Sequence, residues 1–121
     1  MGYLRRHTIV VSGWGDYIEA AHTEAMRVFD VGDPVTGATS SSFQQLVSPL
    51  IDGMTNGERS FFVAPDGSKE WWDTSDKGDE LRAKFVEWLR SPEVHVVWVE
   101  VQFGDDDRQT LIVGHSDEET D

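Results

Sequence analysis

The chain has no cysteine, which removes disulfide frameworks, thiol nucleophiles and cysteine-bound zinc from consideration. It has no apolar run near the ~20 residues that a membrane-spanning helix needs. Residues 1–11 hold Arg5 and Arg6 but only a short apolar stretch and no small-residue cleavage site, so no signal peptide is expected. Positive charge is scarce: 10 Lys and Arg stand against 23 Asp and Glu, a net charge of −13. Such a surface repels phosphate backbones, so direct nucleic-acid binding is not expected. What remains is 38% hydrophobic and 11% aromatic, enough to bury a core within 121 residues. The expectation is a single cytoplasmic domain, 1–121, with an acidic tail from about residue 116.

Residues 7–12 are largely β-branched and apolar and read as a strand ended by Gly13 and Gly15. Asp16 with Glu19 resembles a capping box, and Ile18, Ala21, Ala25, Val28 and Phe29 share one side of a helix over about 16–30. Residues 31–42 read as a loop, and 43–51, with Pro49, as an edge or interrupted strand. Asn56-Gly57 signals a hairpin turn before a strand at 59–64, and Pro65-Asp66-Gly67-Ser68 a tight turn after it. Thr74, Ser75 and Asp76 are candidate caps for a second helix. Leu81, Phe85, Trp88 and Leu89 form its apolar stripe, and Pro92 closes it. A strand at 94–103, polar on one side at Glu100 and Gln102, and a strand at 111–113 follow. The order β-α-β-β-α-β-β predicts an α+β fold, a ferredoxin-like variant. Two helices cover one face of a mainly antiparallel sheet.

Catalytic and metal signatures are missing. His7, His22, His95 and His115 show no ligand spacing, so no metal is expected. Residues 73–84 imitate a calcium loop, but Lys77 and Lys84 occupy positions that need oxygen ligands. Asp105, Asp106 and Asp107 read as a solvated acidic loop. Gly13-Trp14-Gly15 precedes a helix but lacks the rest of a phosphate-binding fingerprint. No spacing pairs a nucleophile with a base. An enzyme would need His115 or His22 to meet a carboxylate in a cleft.

The aromatic segment 60–73 is the most informative. Trp71 and Trp72 are adjacent beside a turn, so both cannot enter the same core. An exposed indole stacks on planar bases or sugars. Lys69 and Arg59 lie close by in sequence and can offset phosphate charge. Arg5, Arg6 and His7 form the locally basic stretch, and no acidic residue precedes Asp16. Arg82 follows Leu81 and is placed to reach from the helix flank towards a neighbouring subunit. The expected ligand-binding residues are therefore Trp71, Trp72, Arg59, Lys69, Arg5 and Arg6.

Three phrases carry a resemblance: DYIEAAHTEA at 16–25, NGERSFFVAPDGSKEWW at 56–72 and WVEVQFGDD at 98–106. In them the chain resembles small proteins encoded by bacteriophages and prophages, over about residues 7–115. In size and element content it is similar to the Thoeris anti-defence sponges, oligomeric α+β shells that sequester cyclic ADP-ribose-like signals. The resemblance implies a non-enzymatic protein without cofactors that binds a small nucleotide in an infected host cell. It carries over no ligand residue one by one. A homo-oligomer is expected, because one short domain encloses little volume for a pocket. The alternative is an acidic inhibitor or nucleic-acid mimic that blocks a basic host protein.

Overall fold

The computed structural model describes residues 5–32, 42–69, 72–104 and 110–117. Five strands form one antiparallel sheet: β1 (Arg6–Trp14), β2 (Ile51–Asp52), β3 (Glu58–Val63), β4 (Val97–Phe103) and β5 (Leu111–His115). Helix α1 (Gly15–Val28) follows β1, and helix α2 (Asp73–Leu89) follows β3. The strand order is β2-β3-β1-β4-β5. The fold is thus the expected α+β, with a 3-10 turn added between α1 and β2.

β1 is central, and its register sorts the side chains. Ile9 faces Val63 and Glu100, and Val11 faces Phe61 and Trp98. Successive strand residues point to opposite faces, so these positions share one side. Ile9, Val11, Phe61, Val63 and Trp98 are buried there beneath both helices. From α1 come Ile18, Ala21, Ala25 and Val28, and from α2 come Leu81, Phe85, Val86 and Leu89. Phe85 is the hub of this layer. Its ring centroid lies 6.2 Å from each of Phe29, Phe61 and Trp88.

Local signals account for most boundaries. Asn56 (φ 59°) and Gly57 (φ 70°) both adopt the left-handed conformation, at the centre of a turn closed by Glu58 N–H to Thr55 O within the β2–β3 connection. Helix α1 starts at Gly15, one residue before the expected cap. Trp14 holds the cap position without a side-chain bond, and Asp16 lies in the first turn, where the helix dipole favours it. Helix α2 likewise starts ahead of its expected caps, with Trp72 at the N-cap.

Residues 43–51 depart most from expectation. Phe43–Leu46 forms a 3-10 turn whose Gln44 N–H is capped by Ser42 Oγ at 3.0 Å. Val47 makes a single bridge to Val63, and β2 shrinks to two residues. Pro49 has no N–H to donate, which breaks the ladder between them. β4 starts at Val97, not 94, because a turn in which Val94 N–H bonds Ser91 O delays it. The expected loop at 33–41, the 105–107 acidic run and the tail from 118 lie outside the described residues.

Truncating Phe85 to alanine is expected to lower stability by about 3–5 kcal/mol, because three aromatic neighbours lose their common contact. Urea unfolding followed by circular dichroism measures it.

Candidate functional site

The inner face of the sheet is not apolar throughout. Two residues before Ile9, β1 places His7 on the same side, and β4 continues from Trp98 to Glu100 and Gln102. His7 is opposite Gln102 in the register. Helix α2 crosses above them and presents Arg82, one position past Leu81 in the buried stripe. Together these residues line an open cleft of about 520 Å³, with Asp79, Glu87 and Arg90 at its rim. That is within the ~300–1,000 Å³ typical of small-molecule sites.

Arg82 dominates the cleft. Its side chain is 2% exposed, so the guanidinium needs partners inside the protein. Nη1 donates to Asp66 Oδ2 at 3.2 Å, and Nη2 donates to Asp79 Oδ1 at 2.6 Å. Nε has no partner among the described residues. Arg82 does not reach towards a neighbouring subunit, as its place beside Leu81 suggested. It turns inward, because Asp66 in the β3–α2 connection supplies a buried countercharge.

Asp66 is itself held by Ser68, whose N–H donates to Oδ1 at 2.9 Å and whose hydroxyl donates to the same oxygen. Burial pushes the Asp66 carboxyl up, but the Ser68 bonds and the Arg82 charge outweigh it, leaving the carboxyl below its ordinary value. Gly78 makes room for this pair. A side chain there would collide with Asp66 Oδ2 and come within 3.2 Å of Arg82 Nη1. A glycine inside a helix costs roughly 1 kcal/mol, which the close approach of the Asp66 turn offsets.

Glu100 behaves in the opposite way. Burial pushes its carboxyl above the ordinary glutamate value, and Asp79 adds to that. Arg82, His7 and Arg90 only partly restore it. The cleft therefore offers a buried donor at Arg82, a carboxyl that resists ionisation at Glu100, and Gln102. Arg90 stacks over the Trp98 ring at 5.1 Å.

The six residues singled out from the sequence do not converge on one point. Arg5 reaches the cleft indirectly, its Nε donating to Gln102 Oε1 at 2.6 Å. Arg6 donates to Gly104 O at 2.9 Å. Lys69 Nζ lies 5.9 Å from the Trp72 ring centroid, and Trp72 is 54% exposed at the start of α2. Trp71 lies outside the described residues. Arg59 pairs with Gly13 in the register, whereas Arg6 is at the other end of β1. Those ends are seven residue steps apart along the strand, roughly 23 Å at ~3.3 Å each. There Arg59 makes an ion pair with Glu19 at 2.8 Å.

His7, Arg82, Glu100 and Asp66 did not stand out as one site in sequence. The available signal was polar residues at core-facing positions: His7 in step with Ile9 and Val11, and Glu100 in step with Trp98. Of the other histidines, His22 bonds Ser48 O at 2.9 Å, and His95 meets the Tyr17 ring edge-on at 4.9 Å between centroids. Among the described residues no group of three His, Asp or Glu is arranged to hold a metal ion. The acidic start of α2 is partly neutralised within the helix, since Glu80 contacts both Lys77 and Lys84. No described helix is long and apolar enough to cross a membrane. No protein-family model matches this chain, and no curated protein or solved structure matches it either.

Two substitutions separate the electrostatics of the cleft. Asp66→Asn leaves Arg82 with one carboxylate and is expected to cost about 3 kcal/mol at pH 7. Because the Asp66 carboxyl is held below 3.8, its contribution is complete above that pH and is lost as pH falls through the folded value. The gap between wild type and Asp66→Asn should therefore close in acid. Glu100→Gln has the reverse sign. A carboxyl raised above 4.5 favours the fold while protonated and loses that contribution as pH rises. Glu100→Gln should melt higher than wild type at pH 7 and equal to it below about pH 4. Melting temperatures across pH 3–8 read both.

Proposed function

We propose that this chain is a non-enzymatic binding protein that sequesters a small anionic ligand of the nucleotide class, seated in the cleft beneath α2. The observation that carries the reading is Arg82, a buried guanidinium in the lining of the cleft whose Nε has no hydrogen-bond partner among the described residues. A buried donor left unmade costs about 1–3 kcal/mol, and a ligand oxygen arriving there recovers it. Charge-assisted bonds to phosphate or carboxylate oxygens are the strong ones.

The nucleotide class rests on a second feature. Trp72 and Lys69 stand at the start of α2, ten residues before Arg82 in the case of Trp72, or about 15 Å along the helix. A molecule of ADP-ribose size spans that distance, with its base on the exposed indole and an anionic group at Arg82. Lys69 over the same ring adds a cation beside the base. The resemblance to phage-encoded anti-defence proteins gives such a binder a purpose, the removal of a small nucleotide signal from the host cytoplasm.

Isothermal titration with ADP-ribose, its cyclic derivatives and cyclic dinucleotides tests the reading. Binding is expected with at least one of them. Trp72→Ala should weaken it about tenfold or more while leaving the melting temperature unchanged, since base stacking on an aromatic is worth ~1–3 kcal/mol. Ligand recovered after heat denaturation should be chemically unaltered. An absence of heat with every compound, or conversion of the ligand, overturns it.

A further inference from the structure

Among the described residues, nothing covers the side of the sheet away from both helices. Alternation sends Val10 of β1, Phe62 of β3, Val97, Val99 and Val101 of β4, and Ile112 of β5 to that side. Phe62 is 41%, Val97 54% and Ile112 65% exposed. The register makes them neighbours across four strands, and an exposed contiguous apolar patch of this kind marks an interaction site. We propose that this face is the interface of a two-fold homodimer in which Phe62 of each copy enters a groove on the other.

Charge selects the occupant. In a chain of net charge −13, two copies repel wherever their carboxylates meet. On the outward positions of the described strands the one carboxylate is Glu58, opposite Trp14 at the end of β1. The centre holds Thr8, Ser12 and Ser60 instead, and Ser12 and Ser60 satisfy each other through their hydroxyls at 2.7 Å. Just past β5, Asp117 stands at the groove, and a two-fold rotation about β1 sets it over the β2 flank of the other copy rather than over its own counterpart.

Shape selects the arrangement. A groove of about 410 Å³ runs over Val10, Val97, Val99, Ile112, His115 and Asp117, on the β4–β5 side of β1. Phe62 stands on the β3 side. The register puts both at one level, because Val10 pairs with Phe62 on one flank and with Val99 on the other. A two-fold axis lying between the sheets and running along β1 exchanges the two flanks. It brings Phe62 of each copy over Val99 of the other, twice, as an isologous interface requires. The dimer is independent of the ligand cleft, which opens on the opposite face of the sheet.

Sedimentation equilibrium at 1–100 µM tests the proposal without any ligand. Wild type should have twice the 13.6 kDa chain mass, and Phe62→Lys and Val99→Glu should each sediment as monomers with unchanged circular dichroism. Mixing the two variants at low salt should restore a dimer, because one contact then pairs Lys at 62 with Glu at 99 and the other keeps the native pair. If Phe62→Lys fails to fold, Ile112→Lys at the groove rim replaces it as the monomerising change. A monomeric wild type at 100 µM overturns the proposal, including the case where another protein covers this face. Variants that remain dimeric, or a mixture that stays monomeric, overturn it as well.

Discussion

Both helices lie on one side of a five-stranded sheet, and the period-two alternation of β1, β3 and β4 then decides what each residue does. A residue in step with Ile9 meets the helices, and a residue in step with Val10 meets whatever lies outside. One helical layer for two sheet faces buries half of the β surface. Among the described residues it leaves an apolar face of the sheet without cover. It also leaves a polar cleft where the inner face outruns the aromatic layer around Phe85.

Within that covered layer, the charge of Arg82 organises the second half of the chain. A guanidinium at 2% exposure is tolerable only with countercharges, so Asp66 is fixed in the turn after β3 and Asp79 one helical turn before Arg82. Ser68 then fixes Asp66, and Gly78 stays without a side chain so that the turn can approach. Neither Asp66 nor Asp79 reaches Nε. One guanidinium thus joins helix and turn, and its charge also acts on Glu100 of the sheet.

Local features of the fold were legible in the sequence because local chemistry writes them. The stripe Leu81, Phe85, Trp88 and Leu89 and the Asn56-Gly57 turn depend only on near neighbours. The polar side of β4 at Glu100 and Gln102 was also visible. The cleft was not, because it joins residues from three segments: His7 on β1, Asp66 after β3, and Arg82 facing Glu100. Nearness in sequence misled in the other direction. Arg59 and Lys69 are ten residues apart, but an extended strand between them carries Arg59 to the far end of the sheet, against Glu19. The 43–51 segment, expected as an edge or interrupted strand, keeps the Val47 bridge and the start of edge strand β2, while the Ser42 cap turns its first residues into a 3-10 turn.

The central place of β1 has a consequence for how the chain is made. Its two partners are distant in sequence: Arg6 pairs with Phe103, and Ile9 with Val63. Of these five strands β1 is made first, and it waits for β4 before both of its edges are closed. Such long-range pairing makes loop closure costly and folding slow compared with a helical protein of equal length. Until β4 emerges, β1 presents an apolar strand with an open ladder, the kind of edge that recruits other chains. The acidic residues of α1 and α2 are synthesised before β4, and their mutual repulsion between nascent chains works against that association during the wait.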